Sequence, residues 1–142
     1  HTIKEYLKPS GIMMIEVPNL YDALAYVYDL PNHYKFFFHA AHLWYFTAKS
    51  LIKLMNRQGF SGQVYYQQDY NILNHFHWID TDSSDPNSFR RMQSPNLPLR
   101  TERTKEMHQN LNNFILKIDE HYKKLLTRLK ITSNIMFVGK LK

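Results

Sequence analysis

The stretch LKPSGIMMIEVPN, residues 7–19, decides how the fold is interpreted. Pro9 fixes its own φ and Gly11 has no Cβ, so the two residues predict a tight turn. An unbroken apolar run follows the turn, and such a run is typical of a strand covered on both faces, as in a parallel sheet. Pro18 cannot donate a hydrogen bond to a ladder. We therefore predict a strand near residues 12–17.

The segments downstream of that strand show both helical and extended patterns. Residues 20–46 are rich in aromatics and lack a clean period, which indicates mixed helix and loop. Thr47 is a favourable N-cap and Gly59 a favourable helix stop, so the two bracket a predicted helix. Alternating patterns predict two more strands, near residues 63–70 and 133–141.

The clearest element is a long helix predicted near residues 102–130, after a loop over residues 81–100. Apolar residues recur there every three or four positions, which is the spacing of one helix face. We interpret this stripe as core or dimer contact rather than as part of a cofactor site. No internal repeat or linker divides the chain, so we predict a single domain over residues 1–142. The stripe comprises Met107, Leu111, Phe114, Ile115, Ile118, Tyr122, Leu125, Leu126 and Leu129.

The composition excludes several classes of protein. A hydrophobic fraction of 44% with four glycines and six prolines fits a globular protein rather than a disordered or fibrous one. The absence of cysteine excludes disulfides and thiolate metal sites, and we expect a reducing, cytoplasmic setting. No apolar run approaches the roughly 18 residues of a membrane-spanning helix, so we expect no membrane partner. The net charge of +6 includes no block of like charges, which leaves nucleic-acid binding a weak alternative.

Several motifs occur in the order found in one enzyme family. LKPSG followed by IMMIEVPN resembles the turn and fifth strand of class I S-adenosylmethionine-dependent methyltransferases, with Ser10 in place of a usual glycine. HLWYFT at residues 42–47, with the later SL and GF pairs, is similar to a second pattern of the family. NIMFV at residues 134–138 resembles the last strand. Tyr70, Asn74, His75 and Trp78 resemble a stretch of one bacterial subgroup that acts on small molecules or sugars.

The resemblance implies an α/β fold that forms the C-terminal part of a Rossmann-like methyltransferase sheet. It also implies a missing N-terminal half, because the family's glycine-rich loop after the first strand has no counterpart in this sequence. We expect S-adenosylmethionine to serve the complete family member and no cofactor to bind this chain tightly. The expected partners are a small-molecule acceptor and either the missing N-terminal half or a second copy of the chain.

The candidate base and its neighbours follow from position in the motifs. Glu16 and Asn19 follow the predicted fifth strand, and open α/β sheets bind ligands at the carboxyl ends of their strands. The alternative for these two residues is a local pairing and a turn. His42 is the candidate catalytic base, since a neutral imidazole can take a proton from an acceptor hydroxyl or amine. The alternative for His42, and for His39 beside it, is ordinary membership of an aromatic cluster.

The pattern H-x-H-x-x-D formed by His75, His77 and Asp80 suggests a metal site. However, the spacing matches no metal-hydrolase signature, and in an extended segment Asp80 would point away from the two histidines. We therefore expect no metal, and the resemblance instead implies that Asn74 and His75 line the acceptor side.

These observations predict the acceptor-side portion of an S-adenosylmethionine-dependent methyltransferase, acting on a small molecule or sugar. The alternative is a non-catalytic, methyltransferase-like interaction module that binds a partner through the long helix. Aromatic residues can stack on a ring-bearing acceptor, although aromatic density is more often core or interface. The predicted acceptor-binding residues are Glu16, Asn19, His39, Tyr45, Tyr70, Asn74, His75 and Trp78, with His42 as the catalytic residue.

Overall fold

The computed structural model describes residues 3–86 and 91–142. Within these residues two α-helices stand between each pair of successive strands, and short 3-10 and π-helical turns occur in the connections. None of the helices in the described ranges is long and apolar enough to cross a membrane. The strands are β1 (Ile12–Pro18), β2 (Phe60–Gln67) and β3 (Asn134–Leu141), and the α-helices are α1 (Pro31–Phe37), α2 (Ala48–Arg57), α3 (Ile72–Thr81) and α4 (Lys105–Leu129).

The three strands form one sheet in the order β1-β3-β2. The central strand β3 pairs antiparallel with both neighbours, in a register that aligns Ile12 with Lys140 and Phe60 with Leu141. Because both outer strands run opposite to β3, they run in the same direction as each other. The carboxyl ends of β1 and β2 therefore meet at one edge of the sheet, where β3 begins.

The expectation of a parallel ladder covered on both faces is wrong for β1. The described partner of β1 is β3, and that pairing is antiparallel. Met13 is buried, whereas Ile12 and Met14 are 60% and 63% exposed. Successive side chains of a strand point to opposite faces, and α2 packs on one face, so the apolar run leaves its alternate residues uncovered. We call the face turned away from α2 the open face; it carries Ile12, Met14, Tyr65, Met136 and Val138.

The hydrophobic core lies between the sheet and α2. It is built from Leu51 and Met55 of α2 with Met13, Phe60, Ile135 and Phe137 of the strands. Gly62 and Gly139 face each other across the ladder beside the ring of Phe137. A Cβ on Gly139 would lie 2.5 Å from that ring, so the glycines provide the space that Phe137 fills.

Local sequence signals explain where α2 begins and ends. The Thr47 side chain accepts a hydrogen bond from the Ser50 backbone N–H, and Ser50 reciprocates in a capping box. Gly59, at φ +82°, follows the helix in the left-handed region. The predicted helix between Thr47 and Gly59 is confirmed, as is the mixture of helix and loop over residues 20–46, which contains α1 and a π-helix.

The second strand and the segment after it differ from the sequence interpretation. The strand ends at Gln67 rather than near residue 70, and α3 follows directly. Asn71 begins that helix, since its side chain accepts a hydrogen bond from the Asn74 backbone N–H at 3.2 Å. His75, His77 and Asp80 therefore lie on a helix and not on an extended segment.

The long helix is confirmed as α4, but its apolar stripe is covered over only part of its length. Leu126 is buried and Tyr122 is half-buried in the C-terminal half. Met107, Leu111 and Phe114, in the N-terminal half, are 62%, 58% and 59% exposed. The interpretation of the stripe as core therefore holds around Tyr122 and Leu126, and not for the N-terminal half or for Leu129, which is 54% exposed.

Candidate functional site

A cavity of about 250 Å³ lies at the sheet edge where β1 and β2 end and β3 begins. Pro18 from the end of β1 and Asp69 and Tyr70 after β2 contribute to its wall, together with Ser133 and Asn134 at the start of β3. The cavity thus occupies the edge at which the carboxyl ends of the two outer strands meet.

Asn19 connects the end of β1 to the segment before β3 through hydrogen bonds. Its side-chain amide donates to the carbonyls of Thr132 at 2.9 Å and Lys130 at 3.2 Å, and its oxygen accepts from the Tyr21 N–H. The residue is 1% exposed and lies outside the cavity wall. Asn19 therefore fixes the position of one edge of the cavity.

Asp22 caps the π-helix Ala23–Val27 and faces the cavity. Its Oδ1 accepts from the backbone N–H groups of Leu24 at 2.9 Å and Ala25 at 3.1 Å. Burial raises the pKa of Asp22 to about 6, although these two hydrogen bonds act in the opposite direction. The aspartate is therefore a buried carboxylate close to protonation.

A hydrogen-bonded chain fixes His75 in the wall. The Gln68 oxygen accepts from the Ser133 N–H, so the Gln68 amide nitrogen donates both to the Tyr70 carbonyl and to His75 Nε2 at 3.1 Å. His75 Nδ1 must then carry the proton, which it donates to the Tyr122 hydroxyl at 2.7 Å. Burial lowers the pKa of His75 to about 3, so the ring is neutral and both nitrogens are engaged by protein.

Aromatic side chains form the other wall. The ring of His33 meets Trp78 edge-on, with centroids 4.7 Å apart, and stacks against Phe37 at 5.8 Å. Phe36 lies 5.4 Å from Trp78. Burial lowers the pKa of His33 to about 4, so this imidazole is also neutral.

The structure brings most of the sequence-predicted residues together. His39, His42, Tyr70, Asn74, His75 and Trp78 all line the cavity. Glu16 lies outside the wall and accepts a hydrogen bond from Asn134 at 2.7 Å. Tyr45 lies behind the wall, packed against Phe37 and Phe38.

His42 stands at the exposed rim of the cavity. Its ring lies 4.8 Å from that of His39, centroid to centroid, in the segment between α1 and α2. His39 Nδ1 accepts from the Ala41 N–H at 3.2 Å, which holds the ring of His39 in place. Of the two histidines, His42 is the one whose ring makes no hydrogen bond with any residue that the structure describes.

The histidines of the H-x-H-x-x-D pattern do not converge. His75 lines the cavity, whereas His77 and Asp80 line a separate depression on another side of α3. Within residues 3–86 and 91–142, no three histidine or carboxylate side chains are placed to hold a metal ion.

The sequence interpretation missed the wall residues Asp22, His33, Asp69 and Asp85. Asp69 accepts from Asn134 at 2.5 Å and from Gln67 at 2.9 Å, and Asp85 pairs with Arg91 at 2.6 Å. Asp22 carried a local signal, since an aspartate before an apolar helical turn is a good N-cap. The other three gave no signal in the sequence.

Comparison with known families bears on the part of the chain that carries β1 and α2. Residues 1–63 match the family model of a methyltransferase domain. The matched range contains Asp22, His33, His39 and His42 of the cavity wall, and it ends inside β2. The match supports a methyltransferase domain in this part of the chain. No curated protein and no solved structure matches the chain.

Proposed function

We propose that the chain is the acceptor-side, C-terminal part of a class I S-adenosylmethionine-dependent methyltransferase that acts on a small, hydroxyl-bearing molecule such as a sugar. The observation that carries the proposal is the cavity at the shared carboxyl edge of β1 and β2. Open α/β sheets bind their ligands at that edge. The methyltransferase-domain match over residues 1–63 includes one side of the cavity.

The described residues do not fit the methyl donor. The family's donor site needs a glycine-rich loop after a strand, where the backbone approaches the ligand closely. Here Gly62 and Gly139 make room for Phe137, and Gly59 ends α2. In our proposal the donor site is formed by another segment or chain, and we assign no step through the donor to these residues.

The residues of this chain can position an acceptor and remove a proton from it. We propose His42 as the general base, because it stands at the cavity rim and its ring makes no hydrogen bond with any described residue. His75 is a poorer candidate, since both its nitrogens are hydrogen-bonded and burial lowers its pKa to about 3. The aromatic wall would orient a ring-bearing acceptor and exclude water from it.

The test compares His42→Ala with His39→Ala in the complete enzyme. Removal of a general base is expected to lower kcat about 10²–10⁴-fold with little change in donor affinity. His39→Ala, at a neighbouring residue that is also exposed, should change kcat much less. Equal turnover by His42→Ala and the wild type would contradict the assignment of the base.

The assignment of the donor site has its own measurement. Calorimetric titration of the 142-residue chain with S-adenosylmethionine should give no binding or weak binding. A low-micromolar Kd would contradict the proposed division between donor and acceptor sides.

A non-catalytic interaction module is the second candidate. The exposed side chains of Met107, Leu111 and Phe114 on α4 favour it, since apolar residues at helical spacing suit a partner helix or groove. Leu111→Lys in the complete enzyme tests this. If methyl transfer is unchanged in that variant, the exposed surface of α4 is not needed for catalysis.

A further inference from the structure

His33 contains a buried polar atom without a partner. The residue is 5% exposed, and its Nδ1 makes no hydrogen bond with any residue that the structure describes. An unsatisfied buried donor or acceptor destabilises the folded state. The packing of His33 against Trp78 and Phe37 needs a ring but no nitrogen. Packing therefore does not explain why a histidine occupies this position.

The ring of His33 belongs to the cavity wall and is neutral. A neutral imidazole offers one donor and one acceptor, so it matches a hydroxyl group, which also has both functions. His75 lies in the same wall with both nitrogens already engaged. His33 is thus the buried histidine of the wall that retains hydrogen-bonding capacity for a ligand.

The charges of the wall restrict the ligand further. Asp22, Asp69 and Asp85 place three carboxylates around the cavity, and none of its described wall residues is a lysine or arginine. Arg91, which pairs with Asp85, lines the separate depression on α3. Arg91 compensates the charge of Asp85, so Asp22 and Asp69 are the carboxylates that act on a ligand. Carboxylates accept hydrogen bonds from hydroxyl groups and repel anions, so the wall favours a ligand that donates hydrogen bonds and carries no negative charge.

We propose that His33 is a specificity-determining residue whose imidazole hydrogen-bonds to a hydroxyl group of the ligand, and that the cavity selects an uncharged hydroxylated ring over an anionic one. The inference rests on the proposed function in taking the cavity as the acceptor site. It requires neither a methyl donor nor turnover.

The first experiment uses two probes that differ in one carboxylate. Methyl glucoside and the corresponding methyl glucuronide are titrated separately into protein labelled with ¹⁵N at histidine, and the ring nitrogens are followed by NMR. The glucoside should shift the ring-nitrogen resonances of His33, and the glucuronide should bind at least tenfold more weakly. Unshifted ring nitrogens of His33, or equal binding of the two probes, would overturn the proposal.

The second experiment separates recognition from packing. His33→Phe keeps a ring against Trp78 and removes both nitrogens, so it should weaken glucoside binding at least tenfold while Tm stays unchanged or rises. His33→Asn retains a polar atom close to the position of Nδ1 and should recover part of the binding. Wild-type affinity in His33→Phe would overturn the proposal.

His77→Phe is the matched control. His77 Nε2 is also buried without a hydrogen-bond partner among the described residues, but it lies away from the cavity. This variant should bind the glucoside as the wild type does, and an equal loss of binding would contradict a specific role of His33. Normal glucoside binding with no methyl transfer under any donor condition would instead contradict the proposed function and leave the role of His33 intact.

Discussion

The two ends of the sheet differ in the kind of side chain that is buried there. Toward the β3 C-terminus, Phe137 and Phe60 pack against α2 with no polar group among the buried side chains of the core. Toward the β3 N-terminus, Thr132 and Ser133 are buried among amides, carboxylates and imidazoles. The buried polar residues include Asn19, Asp22, His33, Gln68, Asn71, Asn74, His75, Asp85, Asp119, Thr132 and Ser133.

The difference determines what each end contributes. Apolar packing is non-directional and its free energy scales with the volume and area that are filled. Buried polar groups are directional, and each must be matched by a partner at hydrogen-bond distance. We infer that the core end supplies most of the stability, whereas the polar end holds the cavity in one geometry.

The largest expected effect is at the core end. Phe137→Ala empties the space beside Gly62 and Gly139, and we expect the free energy of unfolding to fall by about 3–5 kcal/mol. Leu43→Ala, at a residue 79% exposed, is the control and should change it by no more than about 0.5 kcal/mol. Urea denaturation measures both. If both variants lose only a little free energy of unfolding, the core end of the sheet is not the main source of stability.

Asp22 tests the polar end through pH. The pKa of Asp22 is about 6 in the folded chain and 3.8 in the reference state, so the folded chain binds the proton more tightly. Its contribution to stability is fully present below pH 3.8 and is lost as pH rises through 6. Asp22→Asn keeps the helix cap, and it should gain about 2 kcal/mol relative to wild type between pH 4 and pH 7.

Urea denaturation at several pH values gives that difference, with Asp80→Asn at an exposed position of α3 as the control. A difference between wild type and Asp22→Asn that does not change with pH would show that the carboxylate is solvated in the cavity.

His75 should show the opposite pH dependence. Its pKa is about 3 in the folded chain, below the reference value of 6.5, because burial penalises the charged ring. Its contribution is present above pH 6.5 and is lost as pH falls toward 3. Wild type should therefore lose about 2 kcal/mol relative to His75→Gln between pH 6.5 and pH 5. Parallel curves of the free energy of unfolding against pH for the two proteins over this interval would contradict a buried, neutral His75. His121→Gln on the exposed side of α4 is the control.

The smallest expected effect on folding concerns the open face. Met14→Lys should change the free energy of unfolding by less than about 0.5 kcal/mol, because Met14 is 63% exposed. We expect the wild-type chain to self-associate through this apolar face and the adjoining edge of β1, and the lysine to oppose association. Light scattering over a dilution series tests this, with Leu43→Lys as the control. A wild-type monomer at micromolar concentration that unfolds cooperatively would contradict the expectation.

Local signals in the sequence were sufficient for some elements. The Thr47 cap defined α2, and the apolar repeat defined α4 to within a few residues. The helix α3 was missed because the alternating stretch leads directly into Asn71, although asparagine is a favourable N-cap. Strand direction was also missed, since an apolar run has the same composition in parallel and antiparallel ladders.

The candidate site divides in the same way. His42, Tyr70 and Trp78 came from motifs and do line one cavity. The role of His33 depends on contacts between segments that are distant along the chain, as does the Asn19 bond to Thr132, and no local pattern encodes such contacts. Whether the predicted residues bind an acceptor stays a prediction.

The facing glycines beside Phe137 restrict which substitutions this sequence can accept. A methyl group at position 139 would collide with the ring of Phe137 and with the Ser61 carbonyl, and one at position 62 with the Val138 carbonyl. A smaller residue at position 137 would relieve the first of these collisions with the ring but neither collision with the backbone. Variants of this chain should therefore keep glycine at positions 62 and 139 even where position 137 changes. The close approach of the strands constrains the two glycines more strictly than it constrains the core residue beside them.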